Sequence, residues 1–220
     1  MNEDIILKED LLNELRAYAT TPDDETTQYK EKIRQTLLKC PELLYALHEE
    51  ELEQELFIET KDENNNTVVV LNIDAKTGEM LGEVDRYFGT NSNIRPMIFV
   101  PQTQDKGKHY VCYQVMFDEL PKYNDVQKYT QIIFTIFVDG DDREDELTGL
   151  PRHDLIASII RKRFNWSNIF GMQTHIISSK ESTTDNNFVV RTIVFQLVDT
   201  NGIVDTKNNT TSIYNHRVRR

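Results

Sequence analysis

The strongest candidate for chemistry in the sequence is a cluster of acidic residues at the end of an apolar run. Clustered carboxylates at a strand end can hold Mg²⁺ or Ca²⁺ through their oxygens. This cluster does not match the calcium-binding loop, because Arg143 stands where Asp or Asn is needed and Glu144 where Gly is needed. We therefore favour a solvated loop and expect no bound metal. The acidic residues are Asp139, Asp141, Asp142, Glu144, Asp145 and Glu146.

The five histidines show no zinc-binding spacing, since the sequence holds no HExxH motif. His153, beside Asp154, could act as a general base, but it stands at an ordinary helix start and Arg152 flanks it. The sequence also holds no GxSxG, P-loop or GxGxxG motif. We therefore expect no catalytic residues, no cofactor and no enzymatic activity. The alternative is a divalent-metal-dependent phosphodiesterase or nuclease that uses the acidic cluster at 139–146, with His153 nearby.

An aromatic turn holds the only tryptophan, Trp166, in the sequence FNWSNIFG. Phe164 and Phe170 flank it. Such a turn usually covers the edge of a sheet, but aromatic residues also concentrate at protein interfaces. Both interpretations are open from the sequence.

The chain ends in basic residues, HRVRR, that could bind an acidic surface on a neighbouring copy. An unpacked terminus is the simpler interpretation. If subunits meet through the acidic cluster, the aromatic turn and this ending, the contact residues are Asp141, Asp142, Glu144, Phe164, Trp166, Phe170, Arg217, Arg219 and Arg220.

The elements around these residues are predicted by apolar periodicity. The segment 128–138 carries apolar side chains on both faces, which predicts a central strand. After the acidic cluster, Pro151 and Asp154 predict a helix start, and an apolar stripe continues to Phe164. Further strands are predicted at 95–101, 109–117, 172–178 and 188–198.

The amino-terminal third of the chain is predicted to be helical. Helical spacing of apolar residues predicts helices at 4–18, 27–39 and 41–56. The polar segment 59–66 predicts a linker, and TVVVLNID, AKTG and EMLGEV predict a hairpin with Gly78 in its turn.

These elements predict an α+β fold, with a mainly antiparallel sheet and one packed amphipathic helix, preceded by an N-terminal helical region. The predicted regions are an acidic helical region (1–57), a hairpin and linker (58–93), an α+β domain (94–203) and a C-terminal arm (204–220).

Charge is distributed unevenly along the 220 residues, whose net charge is −12. Residues 1–90 hold 22 acidic against 9 basic side chains, and the remainder holds 15 against 16. An acidic chain repels nucleic-acid phosphates, so binding DNA through a broad basic face is not expected.

Cys40 and Cys112 form no CxxC motif, and we expect reduced thiols in or near the core. The acidic start MNEDIILKEDLL does not resemble a signal peptide, and no apolar run approaches the length of a membrane span.

Five stretches occur in a characteristic order: IRPMIFVPQTQ, YVCYQVMFDELPKYNDVQKY, TGLPRHDLIASII, FNWSNIFG and TDNNFVVRTIVFQ. Through them, residues 94–203 resemble the neck proteins of tailed bacteriophages, the small α+β connectors of the head-to-tail junction that include tail-terminator and tail-completion proteins. None of the stretches is a catalytic motif.

The resemblance implies a structural virion protein at the phage neck, made in the host cytoplasm. Such proteins form a ring, usually a hexamer, that joins capsid and tail and leaves a channel for DNA. The implied partners are other copies, other neck, portal-adaptor or tail-tube proteins, and passing genomic DNA without sequence recognition. The helical region at 1–57 and the hairpin depart from a minimal terminator, so a larger connector and an adaptor that binds through this region both stay open.

Overall fold

The central sheet has five strands: β3 (Ile94–Arg95), β4 (Tyr110–Phe117), β5 (Gln127–Asp139), β8 (His175–Thr183) and β9 (Phe188–Thr200). Their order across the sheet is β3-β4-β5-β9-β8. β3 pairs parallel with β4, and the other neighbours are antiparallel. The predicted α+β class with a mainly antiparallel sheet is therefore confirmed.

The computed structural model describes residues 12–13, 25–61, 63, 65–74, 76–102, 107–117, 127–200, 203–205 and 211–213. Its helices are α1 (Glu25–Leu38), α2 (Pro41–Ala46), α3 (Glu50–Leu56) and α4 (Arg152–Phe164), with a 3₁₀ turn at Val84–Tyr87. The smaller strands are β1 (Phe57–Lys61), β2 (Thr67–Leu71), β6 (Glu144–Asp145), β7 (Leu150–Pro151), β10 (Ile203–Asp205) and β11 (Thr211–Ile213).

β5 is the central strand, as its sequence predicts, and it pairs with β4 on one side and β9 on the other. Phe134 and Ile136 are buried in the main core together with Ile160 of α4. Phe137 belongs instead to a second, smaller cluster with Cys112. The alternating apolar residues of β5 therefore fill both faces of the sheet.

α4 packs one apolar stripe against the sheet. Ile156, Ile160 and Phe164 recur at helical spacing and are fully buried. Three basic residues occupy its last turn, where cations complement the helix dipole. The predicted helix after Pro151 is confirmed.

The helix predicted over 41–56 is wrong in one respect, because the chain forms two helices, α2 and α3. His48 lies between them with a φ of 49°, in the left-handed region. A residue in this conformation ends a helix. Glycine is its usual sign in a sequence, and none stands at this position.

The predicted hairpin is partly wrong. β2 pairs with β1, the segment before it, in the register Phe57↔Leu71 to Lys61↔Thr67. The first part of the predicted linker, residues 59–61, is thus strand, because Thr60, like Ile58 just before the linker, favours extended backbone opposite TVVVL. Gly78 does adopt the expected positive φ, 68°, in the turn that follows.

The edge strand predicted over 95–101 is wrong for most of its length. Only Ile94–Arg95 pairs with β4. Pro96 follows immediately and cannot donate to a ladder. Beyond it, Met97, Ile98 and Val100 are exposed.

Helices and sheet share one hydrophobic core. Leu37 of α1, Leu44 of α2 and Leu56 of α3 have no exposed surface and belong to the same cluster as Phe134 and Phe195 of the sheet. The helix expected over 4–18 falls outside the described residues except at 12–13.

Within the C-terminal arm, β10 and β11 pair antiparallel with each other. In the part of the chain that the structure describes, no helix has the length and hydropathy to cross a lipid bilayer.

Candidate functional site

The acidic loop, residues 139–149, places Asp142 between two histidines. Asp142 Oδ2 lies 2.7 Å from His48 Nδ1 and 2.9 Å from His109 Nε2. Both distances are those of charge-assisted hydrogen bonds. We name this group the His48–His109–Asp142 cluster.

Three separate elements position the cluster. His48 stands in the break between α2 and α3, with its backbone in the left-handed region. His109 immediately precedes β4 and is completely buried. Asp142 follows the end of β5, the strand that pairs with β4.

The backbone sets which nitrogen of His109 carries a proton. The N–H of Asp139 donates to His109 Nδ1 over 3.3 Å, so this nitrogen acts as an acceptor. In the neutral ring the proton is then on Nε2, which donates to Asp142. The ring therefore links the end of β5 to the acidic loop.

Arg152, the first residue of α4, holds the other side of the Asp142 carboxylate. Its Nη2 donates to Asp142 Oδ1 over 3.0 Å, and its side chain is only 2% exposed. It also donates to the backbone oxygens of Asp142, Glu144 and Ala46. The loop, α4 and α2 thus meet at one buried guanidinium.

These contacts change the acidity of the cluster. Burial acts to raise the pKa of the Asp142 carboxyl, but hydrogen bonds from His48 and His109 and the charge of Arg152 outweigh it and lower that pKa to about 2. Burial lowers the pKa of His109, against the opposing pull of Asp142. Asp142 is therefore an anion at neutral pH, and His109 is a neutral ring.

Two other acidic residues of the loop hold backbone groups. The Asp139 carboxylate accepts the N–H groups of Gly107 and Asp141. Asp145 accepts the N–H and the hydroxyl of Thr148. Their oxygens organise the loop, as expected for carboxylates that fix a turn.

Asp141 and Glu144, both expected as subunit contacts, have exposed side chains. Asp141 accepts a hydrogen bond from the Asn187 amide at 3.2 Å. The six acidic residues therefore do not converge on a single point, and only Asp142 joins the two histidines.

The three side chains of the His48–His109–Asp142 cluster could hold a metal ion. Their ligand atoms all lie within 4.8 Å of one another, and no other such group occurs among the described residues. Sequence reasoning missed this convergence, because Asp142 is 94 residues from His48 and 33 from His109. Their spacing along the chain resembles no ligand motif.

His153 does not join the acidic loop. Its ring is buried, and neither nitrogen has a hydrogen-bond partner. Nε2 lies 3.7 Å from Glu181 and 3.8 Å from Asp154, too far for a hydrogen bond. The sequence suggests His153 as the histidine near the acidic cluster, but His48 and His109 are the histidines that contact it.

The aromatic turn, residues 164–171, separates its three aromatic residues. Phe164 and Phe170 are buried, and their ring centroids lie 6.2 Å apart in the core. Trp166 is 66% exposed and stacks on His175 at 6.3 Å. Trp166 alone of the three presents its ring to solvent and to a possible neighbour.

Trp166 also has an unusual backbone. Its φ is 59°, a conformation that is costly for a bulky side chain. The Trp166 N–H donates to the Thr174 carbonyl over 2.7 Å, which helps to hold the turn. Arg217, Arg219 and Arg220 lie outside the described residues.

Comparison with known proteins gives one family. The family model named YomW matches residues 41–197, a segment that includes the His48–His109–Asp142 cluster and the aromatic turn. No match is found among curated proteins. Because the matched segment covers more than half of the chain, the protein belongs to the YomW family, a family of phage-type gene products.

Proposed function

We propose that this protein is a structural component of the phage particle. In this proposal it forms an oligomeric ring at the neck, as a tail terminator or head-to-tail connector, and leaves a channel for DNA. Two lines of support are the phage association of its family and the resemblance of residues 94–203 to neck proteins. The structural observation that supports the proposal is the exposure of the Trp166 side chain.

Trp166 supports a subunit contact for two reasons. An exposed tryptophan leaves a large apolar surface in water, and tryptophan is enriched where interfaces gain most of their affinity. Its φ of 59° adds a conformational cost for a bulky residue. Contact with a second copy would offset both costs.

The edges of the sheet offer further contact surface. β8 lies at one edge and pairs with β9 alone among the described strands. At the other edge β3 covers only two residues of β4. Strand edges present backbone donors and acceptors, which a neighbouring copy can satisfy by extending the sheet.

The implied partners follow from this location. They are other copies of the chain in a ring and other neck, portal-adaptor or tail-tube proteins in the virion. The ring size implied by the resemblance is usually a hexamer. Genomic DNA would pass through without sequence recognition, since an acidic chain repels phosphates. No membrane partner is proposed.

The decisive test is the protein's presence in particles. Mass spectrometry of purified virions, followed by imaging of the neck, should find it in copies that match a ring. A phage carrying Trp166→Ala should yield unjoined heads and tails, whereas the control Leu81→Ala, at an exposed apolar residue outside the loop and the turn, should yield joined particles. Absence of the protein from virions would overturn the proposal.

The metal-dependent nuclease is the competing function. The Asp139 carboxylate already accepts two backbone N–H groups, which favours an architectural role for the loop over an open Mg²⁺ site. Incubation of the purified protein with DNA and RNA in Mg²⁺ tests it. Cleavage that is lost in Asp141→Ala would support the nuclease in place of the connector.

A further inference from the structure

The His48–His109–Asp142 cluster has the donor set of a metal site. We propose that it binds one divalent transition-metal ion of the zinc class, through His48 Nδ1, His109 Nε2 and Asp142 Oδ2. Two imidazoles and a carboxylate suit zinc and its first-row neighbours, whereas Mg²⁺ and Ca²⁺ prefer oxygen donors alone. The site is independent of ring formation.

The spacing of the donors suits a single ion. Asp142 Oδ2 lies 2.7 Å and 2.9 Å from the two nitrogens. Ligands around tetrahedral zinc, at bond lengths of about 2.0–2.1 Å, lie roughly 3.3 Å apart. An increase of about 0.4–0.6 Å in the distances from Oδ2 to the two nitrogens would therefore admit the ion.

The carboxylate is oriented for this role. Arg152 occupies Oδ1 at 3.0 Å and leaves Oδ2 for the ion. Hydrogen bonds that fix a ligand from behind are a regular part of metal sites. The positive charge of Arg152 opposes a cation, but Asp145, 3.6 Å from the guanidinium, offsets it.

The cluster is enclosed on one side and open on the other. His109 is fully buried, whereas the His48 side chain is 50% exposed. An ion can therefore enter past His48. With three protein donors, a fourth coordination position would be left to water.

Binding has one identifiable cost. Nε2 of His109 can ligate only if the ring proton moves to Nδ1, which then faces the Asp139 N–H at 3.3 Å. Losing this long hydrogen bond should weaken the site by roughly ten- to a hundredfold. We therefore expect micromolar rather than nanomolar affinity for Zn²⁺.

Metal titration of the full chain at pH 7, after treatment with chelator, tests the proposal. Co²⁺ should bind one ion per chain with a visible absorption spectrum typical of nitrogen ligation, and Zn²⁺ should displace it. Zn²⁺ should also raise the thermal unfolding midpoint, because it binds the folded state. Mg²⁺ and Ca²⁺ should produce neither effect.

His48→Ala is the informative variant, because its half-exposed ring can be removed without opening the core. It should weaken Co²⁺ and Zn²⁺ binding at least tenfold, and Asp142→Asn should do the same if it folds. Asp141→Asn, in the same loop, and His175→Gln are matched controls that should keep wild-type affinity.

Two results would overturn the proposal. One is an absence of Co²⁺ absorption and of any Zn²⁺-dependent stabilisation in the wild-type protein. The other is unchanged affinity in His48→Ala. Both results can be measured whether the protein is a monomer or a ring in solution. Failure of this proposal is therefore distinguishable from failure of the proposed assembly.

Discussion

At the scale of single residues, Arg152 is a charged side chain held almost entirely out of water. It has 1% of its surface exposed and is surrounded by a carboxylate, a second acid and three backbone oxygens. A buried ion pair contributes little net stability relative to apolar residues, but loss of one partner leaves the other uncompensated. The position therefore tolerates little change.

Arg152→Ala should lower the free energy of unfolding by about 3–5 kcal/mol, because it leaves the partly buried Asp142 carboxylate without its guanidinium partner. Denaturant unfolding measures the effect. Arg161→Ala, at an exposed position of the same helix, is the control and should cost less than about 1 kcal/mol. A similar small cost for both variants would contradict the role assigned to Arg152.

Cys112 gives the protein a weakness at high pH. Burial raises the pKa of its thiol from 9.0 to about 11. Above about pH 9 the unfolded chain releases a proton that the folded chain keeps, so stability falls as the pH rises from 9 to 11. The loss should reach roughly 2–3 kcal/mol.

Unfolding free energies at pH 8 and pH 11 test this, with Cys112→Ala as the control. The variant should lose less stability over the interval than the wild-type protein. Tyr113, whose pKa burial raises to about 12, contributes a loss that remains in both proteins. An identical pH dependence in wild type and variant would refute the prediction.

At the scale of elements, the acidic loop is held against the turn between β8 and β9. The Gly140 N–H donates to the Asn187 carbonyl over 2.8 Å, and a Cβ on Gly140 would lie 2.6 Å from that same oxygen. The approach therefore requires a residue without a side chain.

Gly140→Ala should shift the loop away from the turn and destabilise the protein by about 1–3 kcal/mol, in the range of overpacking. Glu146→Ala, at an exposed position of the same loop, should leave stability within about 0.5 kcal/mol. Thermal unfolding of the two variants makes the comparison. An unchanged thermal unfolding midpoint in Gly140→Ala would contradict the prediction, because it would mean that the loop can move away from the turn at no cost in stability.

The sequence predicts best where one pattern alone decides the structure. The two-sided apolar pattern of β5 and the stripe of α4 predict both elements, with ends correct to within a residue or two. The sequence does not predict the break at His48, because neither glycine nor proline marks its left-handed backbone. The predicted pairing of TVVVLNID with EMLGEV forms only near its turn, where Ile73 bridges Met80, because TVVVL pairs with β1 instead.

The candidate site was predictable only in part. The sequence singles out the acidic loop and Trp166 by their composition. It cannot show that His48 and His109 meet at Asp142, because three distant segments reach that point only after the helices pack on the sheet. The sequence suggests Phe164 and Phe170 as subunit contacts, but both rings are buried in the hydrophobic core.

At the scale of the whole molecule, charge governs the proposed passage of DNA. With a net charge of −12, the protein should show no measurable binding to double-stranded DNA at 0.15 M salt. A gel-shift titration measures this, with a basic DNA-binding protein as the positive control. A tight complex that weakens steeply with salt would contradict a channel through which DNA slides without sticking.

The shared core of helices and sheet limits how the protein can be divided. Leu37, Leu44 and Leu56 contribute to the interior that also holds Phe134 and Phe195. A fragment that begins after α3 would leave that side of the sheet without its cover and expose a large apolar surface to water. A fragment of residues 94–203 alone should therefore aggregate on expression, and useful truncations must begin before α1.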